Sequence, residues 1–179
     1  MRSSEWGYFA EDQIGIKGMS GGVTVEYNFN KLSQEQAENI ASNWYYEGEY
    51  AFYDFAADEE DLAELLNPQE RGDKYYIVKK ANEEIGFFYF ENEGDSVEIG
   101  LGMKPELTGK GMGLDFVKAG LSYAILNYNP KEITLSVATF NERGIRVYKR
   151  AGFESVKTFM QDTNGSRFEF LKMRYEWAK

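Results

Sequence analysis

Leu107-Thr108-Gly109-Lys110-Gly111-Met112-Gly113 separates a stretch that alternates like a strand from one that repeats like a helix, and the reading of the whole chain turns on this junction. Upstream, Val97-Glu98-Ile99-Gly100-Leu101-Gly102-Met103 alternates at period two, and Pro105 forbids its continuation as a regular central strand. Downstream, Leu114, Val117, Leu121 and Ile125 recur at helical spacing. Glycines at alternate positions let several backbone N–H groups converge on one concavity. The first helical turn adds unpaired donors at the positive end of the macrodipole. The junction therefore predicts a phosphate site, against the plainer alternative of a tight strand-to-helix turn.

Two phosphate-binding designs do not fit. The nucleotide P-loop needs a Gly-Lys-Ser/Thr ending that is absent here. The dinucleotide fingerprint would start at Gly111 and Gly113 but meets Phe116 at its third glycine, and the next strand ends at Thr139-Phe140-Asn141 without the expected acidic residue. Gly111-Met112-Gly113 do fit a third pattern, Q/R-x-x-G-x-G/A, with Thr108 where Gln or Arg is usual. After a strand at Lys131–Ala138 comes Asn141-Glu142-Arg143-Gly144-Ile145-Arg146-Val147-Tyr148-Lys149-Arg150-Ala151-Gly152-Phe153. Together the two segments resemble the GNAT acetyltransferases, whose pyrophosphate loop is followed by Asn, then Ala or Gly three residues on, Tyr, and Gly-Phe. The resemblance is strongest from Gly72 to Phe153 and extends from Val23 onward.

The remaining elements follow in the same order. A strand is predicted over Val23–Asn28, a helix over Ser33–Tyr45 with Ser33 and Gln36 as a capping box, and a short helix over Asp58–Leu66. Strands over 74–79, 85–91 and 96–103 are joined at Asn82-Glu83 and Asn92-Glu93-Gly94-Asp95, and a final hairpin, 153–160 and 168–175, turns at Asn164-Gly165. The resemblance implies an α/β (α+β) fold: a mixed, mostly antiparallel sheet of about six to seven strands flanked by about four helices, splayed between the fourth and fifth strands. Residues 1–22 read as an N-terminal extension or leader, with Met19 a candidate natural start, poorly ordered unless docked on a neighbour. Residues 23–179 read as one domain.

Composition narrows the chemistry. The 179 residues, 42% hydrophobic and 16% aromatic, suffice for one core, and no apolar run is long enough to span a bilayer. No secretory pattern opens the sequence, so a cytoplasmic protein with no membrane partner is expected. With no cysteine and no histidine, thiol nucleophiles, Ser-His-Asp triads and His- or Cys-ligated metals are excluded, leaving carboxylates, Tyr, Lys and water to move protons.

Charge is uneven. Residues 1–70 hold 15 acidic and 3 basic side chains, a balance of −12, whereas 71–179 hold 15 and 17, a balance of +2. The acidic half opposes nucleic acid and favours a cationic amine, unless it serves solubility alone. Within it, Tyr45, Tyr46, Glu47, Glu49 and Tyr50 are candidates for the acceptor pocket by cation–π and ionic contact, while Trp44, Phe52 and Phe55 read as core. In the other half, Lys110, Arg143, Arg146, Lys149 and Arg150 are candidates to meet phosphates, although at least two of the helix-borne cations read as a solvated face.

By resemblance the protein is an acetyl-CoA-dependent N-acetyltransferase, working by direct transfer without metal, on a small cationic amine or on a protein N-terminus or lysine. The alternative is a non-catalytic acyl-CoA-binding or regulatory module. The resemblance gives Tyr148 the role of proton donor to the CoA sulfur, against a packing role beside Phe153. It gives Met103 and Lys104 main-chain contacts to the acetyl carbonyl and pantetheine, Asn141 a pantetheine or loop contact, and Thr108, Gly109, Lys110, Gly111, Met112 and Gly113 the phosphates. Glu98 is the candidate general base, with Glu47, Glu49 or ordered water as alternatives. By the same analogy the protein forms a homodimer through the final hairpin.

Overall fold

The computed structural model describes residues 13–20 and 22–177. Eight strands form one sheet, β1 (Gln13–Ser20), β2 (Val23–Lys31), β3 (Tyr75–Lys80), β4 (Glu83–Asn92), β5 (Ser96–Met103), β6 (Glu132–Ala138), β7 (Glu154–Thr163) and β8 (Ser166–Glu176), in the order β1-β2-β3-β4-β5-β6-β8-β7. All neighbours are antiparallel except β5 and β6. The eighth strand is β1, which pairs with β2 from Gln13↔Asn30 to Ser20↔Val23 and so draws residues assigned to the extension into the sheet. Residues 1–12, the rest of that extension apart from Gly21 and Gly22, lie outside the described residues.

The helices arise where local signals place them. Helix α1 (Gln34–Asn43) opens on Ser33, whose side chain accepts from the Gln36 N–H while the Gln36 side chain accepts from the Ser33 N–H, completing the predicted box. Helix α2 (Glu59–Leu66) is capped by Asp58, and the four-residue α3 (Pro68–Arg71) by Asn67 with proline in its first turn. Arg71 is buried because its guanidinium donates to the Leu65 carbonyl at 2.5 Å and to Gln34 at 3.1 Å. Helix α4 (Gly113–Tyr128) ends on Asn129 and helix α5 (Glu142–Ala151) on Gly152, both left-handed.

Each face of the sheet has its own core. Helix α4 covers the face carrying Phe29, Phe88, Phe90, Val97, Ile99 and Leu135, and Phe116, Val117 and Leu121 fill the space between. On the opposite face Ala37, Ile40, Trp44 and Leu65 pack on Tyr75, Ile77 and Phe87. Trp44 is core as expected and Phe55 packs against this second cluster. Phe52 is half-buried in a separate aromatic group with Phe140, Phe168 and Phe170.

The parallel pair determines where a ligand can enter. Strands β5 and β6 are paired only at Ser96↔Glu132, Val97↔Ile133 and Glu98↔Thr134. Beyond that point β5 stays with β4 as far as Gly86↔Met103 and β6 stays with β8 as far as Ala138↔Phe170, so the two strands diverge. This is the splay expected between the fourth and fifth strands, here β5 and β6 because β1 precedes them.

Candidate active site

A cleft of about 470 Å³ occupies the divergence and passes between the two faces of the sheet. Its walls are Ile99 to Met103 of β5, Leu135 to Val137 of β6, the glycine loop, the first turns of α4 and α5, and the tyrosines that follow α1.

Backbone pairing gives β5 a polar edge. In an antiparallel ladder, alternate residues bond to the same neighbour. The Lys104 N–H donates to the Ile85 carbonyl at 2.8 Å and the Ser96 carbonyl accepts from Glu93 at 2.9 Å, so the even-numbered residues of β5 face β4. The odd-numbered ones, Leu101 and Met103, therefore turn their N–H and C=O groups toward the opening left by β6. Lys104, expected to share this role, is held in the ladder, and its ammonium pairs with Glu106 at 3.1 Å. Leu101, not Lys104, turns its main-chain groups to the opening beside Met103, a parity that strand pairing decides and sequence does not show.

The glycine loop has the geometry of an anion site. Gly109 and Gly111 have φ of +73° and +78°, and a Cβ on Gly111 would project into open space. Helix α4 then starts with no side-chain cap on its N-terminal N–H groups. Thr108 closes the preceding 3-10 turn by donating its hydroxyl to the Pro105 carbonyl at 2.8 Å, and with Gly109, Gly111 and Gly113 it lines the cleft. Lys110 and Met112 are outside the lining, Lys110 exposed. Among the basic residues of α5, Arg143 lines the cleft, whereas Arg146, Lys149 and Arg150 are exposed on the helix surface, Arg146 paired with Glu142 at 3.9 Å.

A tyrosine wall closes the other side. Residues 48–53 form a 3-10 helix, in which positions three apart lie above one another, so Tyr50 and Tyr53 share the cleft face. Each tyrosine touches a residue expected at the cofactor site or on its helix. Tyr46 donates to the Met103 carbonyl at 2.7 Å. The ring of Tyr50 lies 4.2 Å from the Arg143 guanidinium, and the Tyr53 hydroxyl accepts from the Asn141 side chain at 3.2 Å. Asn141 in turn caps α5, accepting from the Gly144 N–H at 2.9 Å. Of the five acceptor candidates, Tyr46 and Tyr50 line the cleft, while Tyr45, Glu47 and Glu49 are exposed outside it. Tyr53 joins them, and its three-residue spacing from Tyr50 was the available signal.

Behind the wall, the Asp58 carboxylate accepts from Thr163 at 2.9 Å and the Asn164 N–H at 3.0 Å, and Asn164 donates to the Phe52 carbonyl at 2.8 Å. The turn of the last hairpin thus holds the 3-10 segment in place. These donors, with the Asp61 N–H, keep the Asp58 carboxyl below its ordinary range.

Tyr148 reaches the cleft from α5, its ring edge-on to Phe153 at 6.0 Å. Burial, helped by neighbouring Tyr53, pushes its hydroxyl well above the usual tyrosine range, so it keeps its proton at neutral pH. Burial chiefly, and then Asp54, raise Tyr46 as well. Glu98 is half-buried on the side of β5 shared with Gly100 and Gly102 and is not part of the lining. No carboxylate lines the cleft among the described residues, and none of them form a group of three or more Asp or Glu able to hold a metal. No described helix is long and apolar enough to cross a membrane.

A family model described as an acetyltransferase (GNAT) domain matches residues 27–154. A spermidine N-acetyltransferase from Vibrio cholerae, solved with CoA and spermine, superposes with a TM-score of 0.63 at 20% identity, covering 84% of this chain and 95% of that one. A GNAT-family acetyltransferase from Bacillus anthracis gives 0.64 at 16% identity, over 84% and 94%. At these identities the likeness is one of fold. No curated protein matches the sequence.

Proposed function

The chain belongs to the GNAT acetyltransferase family, and from that premise we propose that it acetylates a small primary amine within the cleft between β5 and β6. The carrying observation is that this one opening is lined by a glycine loop with left-handed Gly109 and Gly111, by a tyrosine wall that meets the loop's neighbour Arg143 through Tyr50, and by Tyr148, which keeps its proton. The residues suit acetyl-CoA. The uncapped start of α4 and the left-handed Gly109 and Gly111 receive the pyrophosphate with Arg143 beside them, and the β5 edge that β6 leaves, at Leu101 and the Met103 N–H, pairs with the pantetheine arm, the Met103 carbonyl being held by Tyr46.

Bound acetyl-CoA supplies the thioester carbon that a neutral amine attacks. The Leu101 N–H is the donor that steadies charge developing on the acetyl oxygen, a contribution of several kcal/mol in comparable sites. Tyr148 holds a proton for the departing sulfur. No described carboxylate lines the cleft, so the proton of the incoming ammonium leaves through water, with Glu98, on the same side of β5 as the cleft-lining Gly100, to receive it. The acidic first half of the chain draws a cationic amine toward the tyrosine wall.

The test is acetyl-CoA turnover followed as free thiol against polyamines, aminoglycosides, amino acids and short peptides, a readout that the absence of cysteine keeps free of protein thiols. Turnover with a small amine is the expected result. Turnover confined to peptides would overturn the acceptor class, and CoA binding without turnover of any acceptor would favour a sensor.

A further inference from the structure

Strand β5 carries two glycines, Gly100 and Gly102, on the side facing α1, and packing explains only one of them. A Cβ on Gly102 would collide with the Phe87 ring, which lies over it as part of the second core. A Cβ on Gly100 would meet only Tyr89, at ordinary contact distances of 3.6 and 3.7 Å, and the backbone there is not left-handed. Glycine within a strand weakens it, and its use without a conformational or packing cause marks a place where something else approaches the backbone closely. Gly100 lines the cleft and immediately precedes Leu101, whose N–H faces the opening.

We propose that Gly100 is a specificity-determining residue: its missing side chain makes room for the acceptor's substituents next to the reacting nitrogen, so that amines branched at that carbon are accepted. The inference rests on the acetyltransferase reading above. Because Leu101 faces the acetyl carbonyl, the space over Gly100 adjoins the bond that forms and not the distant end of the acceptor. A methyl at position 100 would occupy that space, while the loop, the α4 terminus and Arg143 that bind phosphate stay as they are.

The experiment compares wild type, Gly100→Ala and Gly102→Ala by thermal melting and by calorimetry, using probes that need no turnover. These are coenzyme A itself and coenzyme A joined through an S-carboxymethyl amide to ethylamine or to isopropylamine. Gly100→Ala should melt at the wild-type temperature or a few degrees above it, roughly 2–4 °C, because the substitution stiffens the strand without a clash. It should bind coenzyme A within about twofold of wild type and the isopropyl probe at least about tenfold more weakly, with the ethyl probe between them. Gly102→Ala should melt lower. Equal treatment of the two probes by Gly100→Ala and wild type would overturn the inference, as would a fall in melting temperature matching that of Gly102→Ala. Wild type that fails to bind coenzyme A would instead refute the acetyltransferase reading.

Discussion

Replacing Tyr148 by Phe removes one oxygen from the cleft and leaves the ring on Phe153, 6.0 Å away. Burial and neighbouring Tyr53, with no hydrogen bond among the described residues, are what act on this hydroxyl, so the fold loses little, within about 0.5 kcal/mol. The rate should lose much more. A positioned general acid contributes about 10²–10⁴-fold, so kcat should fall by a factor near the lower part of that range, equivalent to about 3–4 kcal/mol of barrier. Burial fixes the sign of the pH dependence. Because the Tyr148 hydroxyl is raised above its ordinary value of 10.0, the acid form persists through neutral pH, and any loss of wild-type rate due to its ionisation must appear above pH 10. The assay is thiol release at saturating acetyl-CoA and amine, paired with calorimetric titration of CoA into both proteins. A kcat within about threefold of wild type would refute the assignment of Tyr148 as the proton donor. A matching loss of CoA affinity would make it a binding residue instead.

Gly111→Asp should weaken CoA binding at least about a hundredfold by calorimetry, since it places a carboxylate in the open space at a left-handed position; undiminished binding would contradict the phosphate assignment. Asp58→Ala removes the α2 cap together with the contacts to Thr163 and Asn164, and should cost about 1–2 kcal/mol in denaturant unfolding. In wild type the Asp58 carboxyl titrates below its ordinary 3.8 when folded, so its stabilisation is present above that pH and declines as the pH falls through the lowered value. The stability difference between wild type and variant should therefore narrow in acid, and a difference constant with pH would exclude the carboxylate as its source.

Much of the fold was legible because local signals agreed with the global one. Ser33 with Gln36 marks the start of α1, and Asn164-Gly165, with φ of 50° and 73°, turns the last hairpin where sequence places it. Strand β1 was hidden because Gly15 and Gly18 made Gln13–Ser20 resemble the glycine-rich stretch after it, and only pairing with β2 gives that segment a sheet. The loop and Tyr148 could be found from motif spacing. The division of Tyr50 from Glu49 could not, because both lie in a 3-10 helix, which follows neither the helical nor the strand period assumed in reading a sequence, and Tyr46 and Glu47 precede it in a segment with no period at all. The exchange of Lys104 for Leu101 was hidden for a similar reason, since hydrogen-bond direction along β5 depends on its register with β4.

The insertion of β8 between β6 and β7 also bears on the order in which the molecule can be made. As the chain leaves the ribosome, β6 and α5 emerge well before the strand that covers the β6 edge, and Asn164, which secures the tyrosine wall, emerges between them. A nascent chain stalled after α5 would carry the glycine loop and Tyr148 beside a bare strand edge, a form prone to pairing with other chains. Acquisition of the cleft should therefore be a late and cooperative event in synthesis, appearing only when the last hairpin is complete.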